Sequence, residues 1–255
     1  MRTRDEIGLT AVPLRELRPL LTRNGNGCGA VYADAAAEGQ QIGAGWRSSE
    51  GGLLFRHFCG FTMLSGHQDA AFLQAAARLM CEADVRFLLF SEDADTTAFF
   101  RRQTGFSEAE RLFFTHRILP EPPPLPDGFV IRQIDGTLLE RIQGRIVPAF
   151  SWESPEAFLA RGKGFCVTDG ETPAAWAFSA AVSSRELDIG VETSPAYRRH
   201  GLASAAAAQM IRYTYSMQKQ PVWACHAGNT ASRRLAEALG FVQCGCCTTF
   251  CNQGG

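Results

Sequence analysis

A chain of 255 residues, 45% apolar and 20% charged, is long enough for one large domain or two of about 100–150 residues each. Its net charge of −1 gives no electrostatic reason to expect nucleic acid or an anionic membrane as the main partner. No apolar run approaches the ~18 residues needed to span a bilayer, and the N-terminal stretch MRTRDEIGLTAVPLREL lacks the continuous apolar core of a secretory signal. A cytoplasmic location is therefore expected, with the nine cysteines as reduced thiols.

In the N-terminal half, strands are expected at Ala30–Asp34, Gln41–Trp46, Leu53–Phe58 and Val85–Phe90, with helices at Ala70–Cys81 and Thr96–Gln103. Next comes Pro120-Glu-Pro-Pro-Pro-Leu-Pro-Asp-Gly128, whose five prolines in seven residues favour extended geometry and exclude helix or central strand. This reads as a stiff linker over 120–127, dividing a domain at 1–119 from one at 128–255. Beyond it, Phe129–Ile134 is a strand candidate and Leu138–Gly144 a short helix. Ser154 and Pro155 supply an N-cap and first position for a second helix. Strands follow at Gly164–Thr168, Ala175–Val182 and Leu187–Thr193. Leu202, Ala206, Met210, Tyr213 and Met217 recur at helical spacing. A strand at Pro221–His226, a helix at Asn229–Leu239 and a cysteine-bearing last strand complete the order β-α-α-β-β-β-α-β-α-β.

Sliding the chain by 135 residues aligns Gly29 with Gly164, Asp34 with Asp169, Gly66 with Gly201, and Gly105-Phe106 with Gly240-Phe241. These matches fall on turns and helix starts, which points to a duplication. The C-terminal Cys244-Gly-Cys-Cys-Thr-Thr-Phe-Cys251 could suggest a metal site. Strand alternation would send Cys244 and Cys246 to one face and Cys247 and Cys251 to the other, and no CxxC spacing is present, so no metal is expected.

The informative segment is Arg198-Arg-His-Gly-Leu-Ala203, which follows a strand and opens a helix. A helix start exposes unsatisfied N–H groups and the positive end of the dipole, which suits phosphate. Gly201 lets a phosphate come close, Ala203 keeps the next contact small, and Arg198 and Arg199 add positive charge. The other reading is a tight strand-to-helix turn with surface arginines. The motif is neither a dinucleotide fingerprint nor a P-loop.

Arg198–Ala203 resembles the Q/R-x-x-G-x-G/A acyl-CoA pyrophosphate motif of the GNAT N-acetyltransferase superfamily. Asn229-Thr-Ala-Ser-Arg-Arg-Leu-Ala-Glu-Ala-Leu-Gly-Phe241 is similar to that superfamily's next motif. The likeness covers 127–255 directly and 1–119 through the repeat, and extends to bacterial GNAT proteins with an extra N-terminal half. It implies an α+β fold, a mixed and largely antiparallel sheet flanked by helices, in tandem. It also implies acetyl transfer from acetyl-CoA, as acyl donor, to a primary amine, a small molecule before a protein. The oligomeric state is left open.

Under this resemblance Glu192 is the expected general base, with Asp188, four residues earlier on the same strand face, as second candidate. Val191 is the expected backbone donor to the carbonyl oxygen, and Thr193 would pair with the pantetheine arm. The pyrophosphate would lie on Arg198, Arg199, His200, Gly201, Leu202 and Ala203. Asn229 and Ser232 would reach the pantetheine arm, although Asn229 also suits an N-cap with Ser232 as its third-position partner. Trp152 and Glu153 fall in the acceptor-binding region and would suit a cationic amine. Ala236 stands where many family members carry a tyrosine that protonates the leaving thiolate, so a CoA-binding protein without turnover is the alternative. The N-terminal loop Met63-Leu-Ser-Gly-His-Gln68 keeps Gly66 but has neither arginine, and Ala94 replaces the asparagine, so this half is expected not to bind CoA.

Overall fold

Most helix starts in this chain are set by a short polar side chain. Asp69, Asp93, Asp135, Ser154 and Asn229 each accept a hydrogen bond from a backbone N–H of the turn they precede. Gly29 and Gly201 are different: both are left-handed, with φ of 80° and 74°, and neither offers a capping side chain. The computed structural model describes residues 8–16, 29–121 and 123–252, and between these caps lie two units with related element order.

The first unit comprises the chain up to Phe113 together with His226–Gly228 and Gly245–Gly255. Its elements are β1 (Thr10–Val12), α1 (Ala30–Ala37), β2 (Gly43–Arg47), β3 (Gly52–His57), β4 (Phe61–Gly66), α2 (Ala70–Glu82), β5 (Leu88–Ser91), α3 (Ala94–Arg101) and the start of β6 (Phe106–His116). Strands β1 to β4 pair antiparallel in sequence order, and β5 adds parallel to β4 through Phe61↔Leu88, Thr62↔Leu89 and Met63↔Phe90. The core gathers Leu54, Phe72, Met80, Phe87, Leu89, Phe100 and Phe250.

The second unit, Phe114–Cys225 with Asn229–Cys244, holds β7 (Phe129–Gln133), α4 (Gly136–Arg141), α5 (Pro155–Arg161), β8 (Gly164–Asp169), β9 (Thr172–Val182), β10 (Glu186–Thr193), α6 (Leu202–Ser216), β11 (Gln220–His226) and α7 (Thr230–Ala238). Here β7 to β10 pair antiparallel in sequence order, and β11 adds parallel to β10. One face of this sheet carries a cluster with Trp152, Phe158, Trp176 and Phe178 at its centre. Burying each such side chain contributes roughly 1.5–3 kcal/mol. Helix α6 packs on β8, β9 and β10 through a close-packed alanine run.

From β2 and from β8 onward the two units repeat the same β-β-β-α-β-α order, the second unit carrying two helices, α4 and α5, before it, and the result is a tandem α+β architecture. The ungapped 135-residue register is not the structural one, however. Ala30–Asp34, expected as a strand, is part of helix α1, whose alanine-rich sequence favours helix. Met63–Gln68, expected as a loop, is strand through Gly66. The helix caps correspond instead as Asp69 with Gly201 and Asp93 with Asn229. On α6 the buried stripe is Leu202, Ala206, Met210, Ile211 and Thr214, whereas Met217 is its exposed C-cap. Met217 lies just past the last helical residue, Ser216, so it does not continue the buried face.

The last strand, β12 (Phe241–Asn252), has residues in both units, so the units do not follow a single cut in the chain. Thr248–Cys251 pair antiparallel with β5. Asn252 fixes that end: its Oδ1 accepts from Phe87 N at 2.7 Å, and its Nδ2 donates to Met80 O at 2.9 Å and Val85 O at 3.0 Å. Cys244 and Cys246 are exposed and Cys247 buried, as strand alternation requires. Among the described residues, no group of three or more His, Cys, Asp or Glu is placed to hold a metal, and no helix is long and apolar enough to cross a membrane. The segment 120–127 carries no helix or strand among its described residues; Pro122 lies outside them.

Candidate functional site

Strands β10 and β11 are in register only at Glu186↔Gln220, Leu187↔Pro221 and Asp188↔Val222. From Ile189 onward β10 continues to pair with β9 alone, so its other edge faces a gap between diverging strands. Which groups face that gap follows from the antiparallel pattern. Ser194 N donates to Ala174 O at 2.9 Å, so the main-chain groups of alternate residues, Glu192 and Gly190, also point to β9. The N–H groups of Val191 and Thr193 therefore point the other way, along the unpaired edge.

Beyond β10 the chain makes a short 3₁₀ turn at Pro195–Tyr197 and then the loop to α6. Tyr197 ties that turn to the β8 end: its Oη donates to Asp169 Oδ2 at 3.1 Å, and its ring meets Phe129 edge-on. Asp169 accordingly pushes the phenol pKa up. In the loop Arg199 has φ of 67° and Gly201 φ of 74°. Left-handed backbone at two positions out of three turns successive N–H groups toward one side, the arrangement that makes anion-binding concavities. A Cβ built on Gly201 would meet no atom within 4 Å, so the approach to the helix start is clear. Ser204 N bonds to Gly201 O, while among the described residues the N–H groups of Leu202 and Ala203 have no acceptor. Arg198 and Arg199 are exposed with no carboxylate partner among the described residues, and His200 is exposed between them and the glycine. Ala203, half-buried, adds only a methyl to the rim.

Across the gap, Asn229 caps α7: its Oδ1 accepts from Ser232 N at 3.1 Å, the local pairing the sequence suggested. The Asn229 amide nitrogen is not used by the cap. Ser232 Oγ accepts from Trp223 Nε1 at 3.1 Å and keeps its own proton to donate. Ala236 is fully buried on the same helix. His226 Nδ1 is taken up by Gly228 N at 3.0 Å in the connecting turn.

On β10, Gly190 and Glu192 share the face of the aromatic cluster with their partners Phe178 and Trp176, whereas the register shifts between Asp188 and Ile189, so alternation does not carry Asp188 onto that face. Gly190 is required by the ring of Phe178: an added Cβ would sit 2.7 Å from it. The Cα atoms of Asp188 and Glu192 are about 13 Å apart at ~3.3 Å per residue. They cannot serve one reacting atom together. Asp188 is buried at the paired end of the strand, whereas half-buried Glu192 lies near the open end. Glu192 Oε2 accepts from Ile146 N at 2.6 Å, and among the described residues Oε1 has no partner.

The two residues expected to receive an amine are engaged otherwise. Trp152 is only 1% exposed, and its Nε1 donates to Ser179 O at 2.8 Å inside the cluster. An indole whose faces are packed in a core has no face for a ligand, so the stacking expectation is corrected to a structural role. Glu153 forms an ion pair with Arg161, which answers its charge. Sequence reasoning missed Gly144, Ile146 and Trp176, which surround Glu192. No local pattern marks them, because the contact joins segments some thirty to forty-six residues apart.

Comparison with known proteins bears on this arrangement. A family profile described as GNAT acetyltransferase matches residues 25–250. Among proteins of curated function none matches significantly. A GCN5-related N-acetyltransferase-like protein from Streptococcus suis superposes with a TM-score of 0.73 at 21% identity, covering 93% of this chain and 97% of its own. A GCN5-related N-acetyltransferase from Kribbella flavida gives 0.59 at 14% identity, covering 87% and 94%. A tandem GNAT protein from the clavulanic acid biosynthesis pathway gives 0.59 at 12% identity, covering 97% and 99%. At these identities the structural likeness establishes a shared two-domain fold.

Proposed function

Because the chain belongs to the GNAT acetyltransferase family, we propose that it transfers the acetyl group of acetyl-CoA to a primary amine, a small-molecule amine in preference to a protein one. The observation that carries this reading is the start of α6. An unobstructed left-handed glycine lies at the open edge of β10 with two N–H groups and two arginines that have no partner among the described residues. This set suits a pyrophosphate in charge and in shape.

In the proposed reaction Arg198, Arg199 and His200 with the N–H groups of Gly201, Leu202 and Ala203 hold the pyrophosphate. Thr193 pairs its main chain with the pantetheine arm, and Asn229 and Ser232 donate to it. The Val191 N–H stabilises negative charge on the thioester carbonyl oxygen as the amine adds. An alkylammonium with a pKa near 10.4 must first lose a proton, and Glu192 Oε1 accepts it directly or through water. The C–N bond forms, the C–S bond breaks with CoA leaving as a thiolate, and the second proton of the added amine is lost to water. A thiol pKa of about 8.5 makes that departure feasible without the usual tyrosine. Asp188 lies too far along the strand to replace Glu192 at the same atom.

Ala236 supports a second reading, a CoA-binding protein without turnover, because no side chain there can protonate the leaving group. Calorimetric titration with acetyl-CoA should give one site per chain; absence of binding would refute both readings. Glu192→Gln should then lower the acetylation rate over a panel of amines by roughly 100-fold or more while leaving acetyl-CoA affinity intact. Tight binding with no thiol release on any amine would favour the second reading.

A further inference from the structure

Glu192 and Trp176 are directly opposed on β10 and β9, so their side chains stand side by side. Both reach the main chain of the same residue. Glu192 Oε2 accepts from Ile146 N at 2.6 Å, and Trp176 Nε1 donates to Ile146 O at 2.8 Å. Two neighbouring side chains thus grip the N–H and the C=O of one residue in the segment between α4 and α5. The segment in turn closes on them through Gly144. A Cβ there would lie 2.8 Å from Glu192 Cδ and 2.9 Å from Trp176 Cζ2, and would overlap Oε2 outright. Gly144 does not lie in the left-handed region, so its lack of a side chain answers to this contact and not to backbone conformation.

We propose that Trp176, Gly144 and the Ile146 main chain are positioning elements for Glu192, clamping one carboxylate oxygen so that the other, Oε1, is held toward the reacting amine. The inference rests on Glu192 being the base of the reaction proposed above. A glutamate has three side-chain torsions, and one bond to a rigid main-chain donor removes most of that freedom before substrate arrives. Among the described residues Trp176 makes no hydrogen bond to the carboxylate; it acts by fixing the residue whose N–H does. The indole is part of the aromatic cluster, so its Nε1–H is aimed by packing that the reaction does not disturb. The segment's main chain, and not a charged side chain, supplies the donor.

The test uses the full chain with two variants, Trp176→Phe, which keeps an aromatic ring and removes the donor, and Gly144→Ala, which adds one methyl against the carboxylate. Two properties are read on each. The first is hydrogen exchange of the Ile146 amide by NMR, which needs no substrate. The second is kcat for thiol release from saturating acetyl-CoA with n-butylamine as the acceptor probe, beside calorimetric affinity for acetyl-CoA. The Ile146 amide should be protected in the parent protein and exchange at least about fivefold faster in each variant, the factor expected for loss of one hydrogen bond of ordinary strength. With the base loosened, kcat should fall at least tenfold, since small misplacements carry rate losses of that order, while acetyl-CoA affinity stays within twofold. Unchanged Ile146 exchange in both variants would overturn the clamp. Faster exchange with unchanged kcat would overturn its positioning role. Should n-butylamine not be turned over by the parent protein, the transferase reading would be in question for that amine, whereas the exchange result would still decide the clamp.

Discussion

Helices α2 and α6 occupy the same place in the two units. Each follows a strand that pairs parallel with its neighbour over three residues, β4 with β5 and β10 with β11. The two helix starts are built oppositely. Helix α2 begins on Asp69, whose carboxylate accepts from Phe72 N at 2.8 Å and so places a negative charge where an anionic ligand would dock. Just before it, Gly66 is left-handed, and a Cβ there would run into Gly51 O. Thr96 Oγ1 at the start of α3 donates to Gln68 Oε1 at 3.0 Å, joining the two helix starts. Helix α6 has a bare glycine, open space, and no hydrogen bond among the described residues between Arg198–Gly201 and the α7 cap. Topology is shared; the difference between a closed helix start and an open one lies in a few side chains.

The strongest way to break the comparison is to give α6 the cap of α2. Gly201→Asp would set a carboxylate on the helix end and force a non-glycine residue into a φ of 74°. Like-charge repulsion and loss of the open approach should each weaken the site. We expect acetyl-CoA affinity to fall by at least roughly 100-fold, about 2.7 kcal/mol, measured by calorimetry. Affinity within threefold of the parent would mean that the ligand does not use this helix start.

How much of this contrast the sequence carried depends on range. The Arg198–Ala203 loop, the Ser154 and Asn229 caps and the strands around Asp188–Thr193 were legible, because each is set by neighbours within a few residues. The duplication was legible as an element order, but its register was not: glycines recur at many turns, and aligning Gly66 with Gly201 hid the true pairing of Asp69 with Gly201. Trp152 misled because a tryptophan beside acidic residues has the composition of a ligand site, and only tertiary packing shows that its faces are covered. The Ile146–Glu192 bond had no sequence signal, since it is made by a main-chain N–H, which every residue but proline carries.

A gentler change sharpens the comparison from the other side. Asp69→Ala removes the carboxylate that occupies the start of α2 without supplying arginines or reopening the space at Gly66. It should create no second acetyl-CoA site, leaving the calorimetric stoichiometry at one per chain. The lost cap should cost about 1 kcal/mol, lowering the melting temperature of the first unit by roughly 2–4 °C or somewhat more. Two sites in this variant would show that the Asp69 carboxylate alone silences the first unit.

The smallest expected effect concerns the other pair of caps, Asp93 on α3 and Asn229 on α7. Asp93 Oδ2 accepts from Thr96 N at 2.7 Å, and this main-chain hydrogen bond holds the Asp93 pKa below the ordinary carboxylate value. A depressed folded-state pKa means that the folded state prefers the ionised form. The stability it contributes is therefore fully present above the unfolded carboxylate value of about 3.9 and is lost as pH falls through the lower folded value. Asn229 carries no such dependence, because an amide does not titrate. Asp93→Asn keeps a good capping oxygen, since asparagine and aspartate rank alike at this position. It should thus melt slightly below the parent at pH 6, with the gap closing as both are brought to pH 2.5. The side chain is largely solvated and its interaction screened, so the gap should be small even at low salt. Thermal melts of parent and variant along that pH series decide it: a gap that stays constant down to pH 2.5 would mean the carboxylate charge contributes nothing to the α3 start, and the two caps would then differ in chemistry but not in energetics.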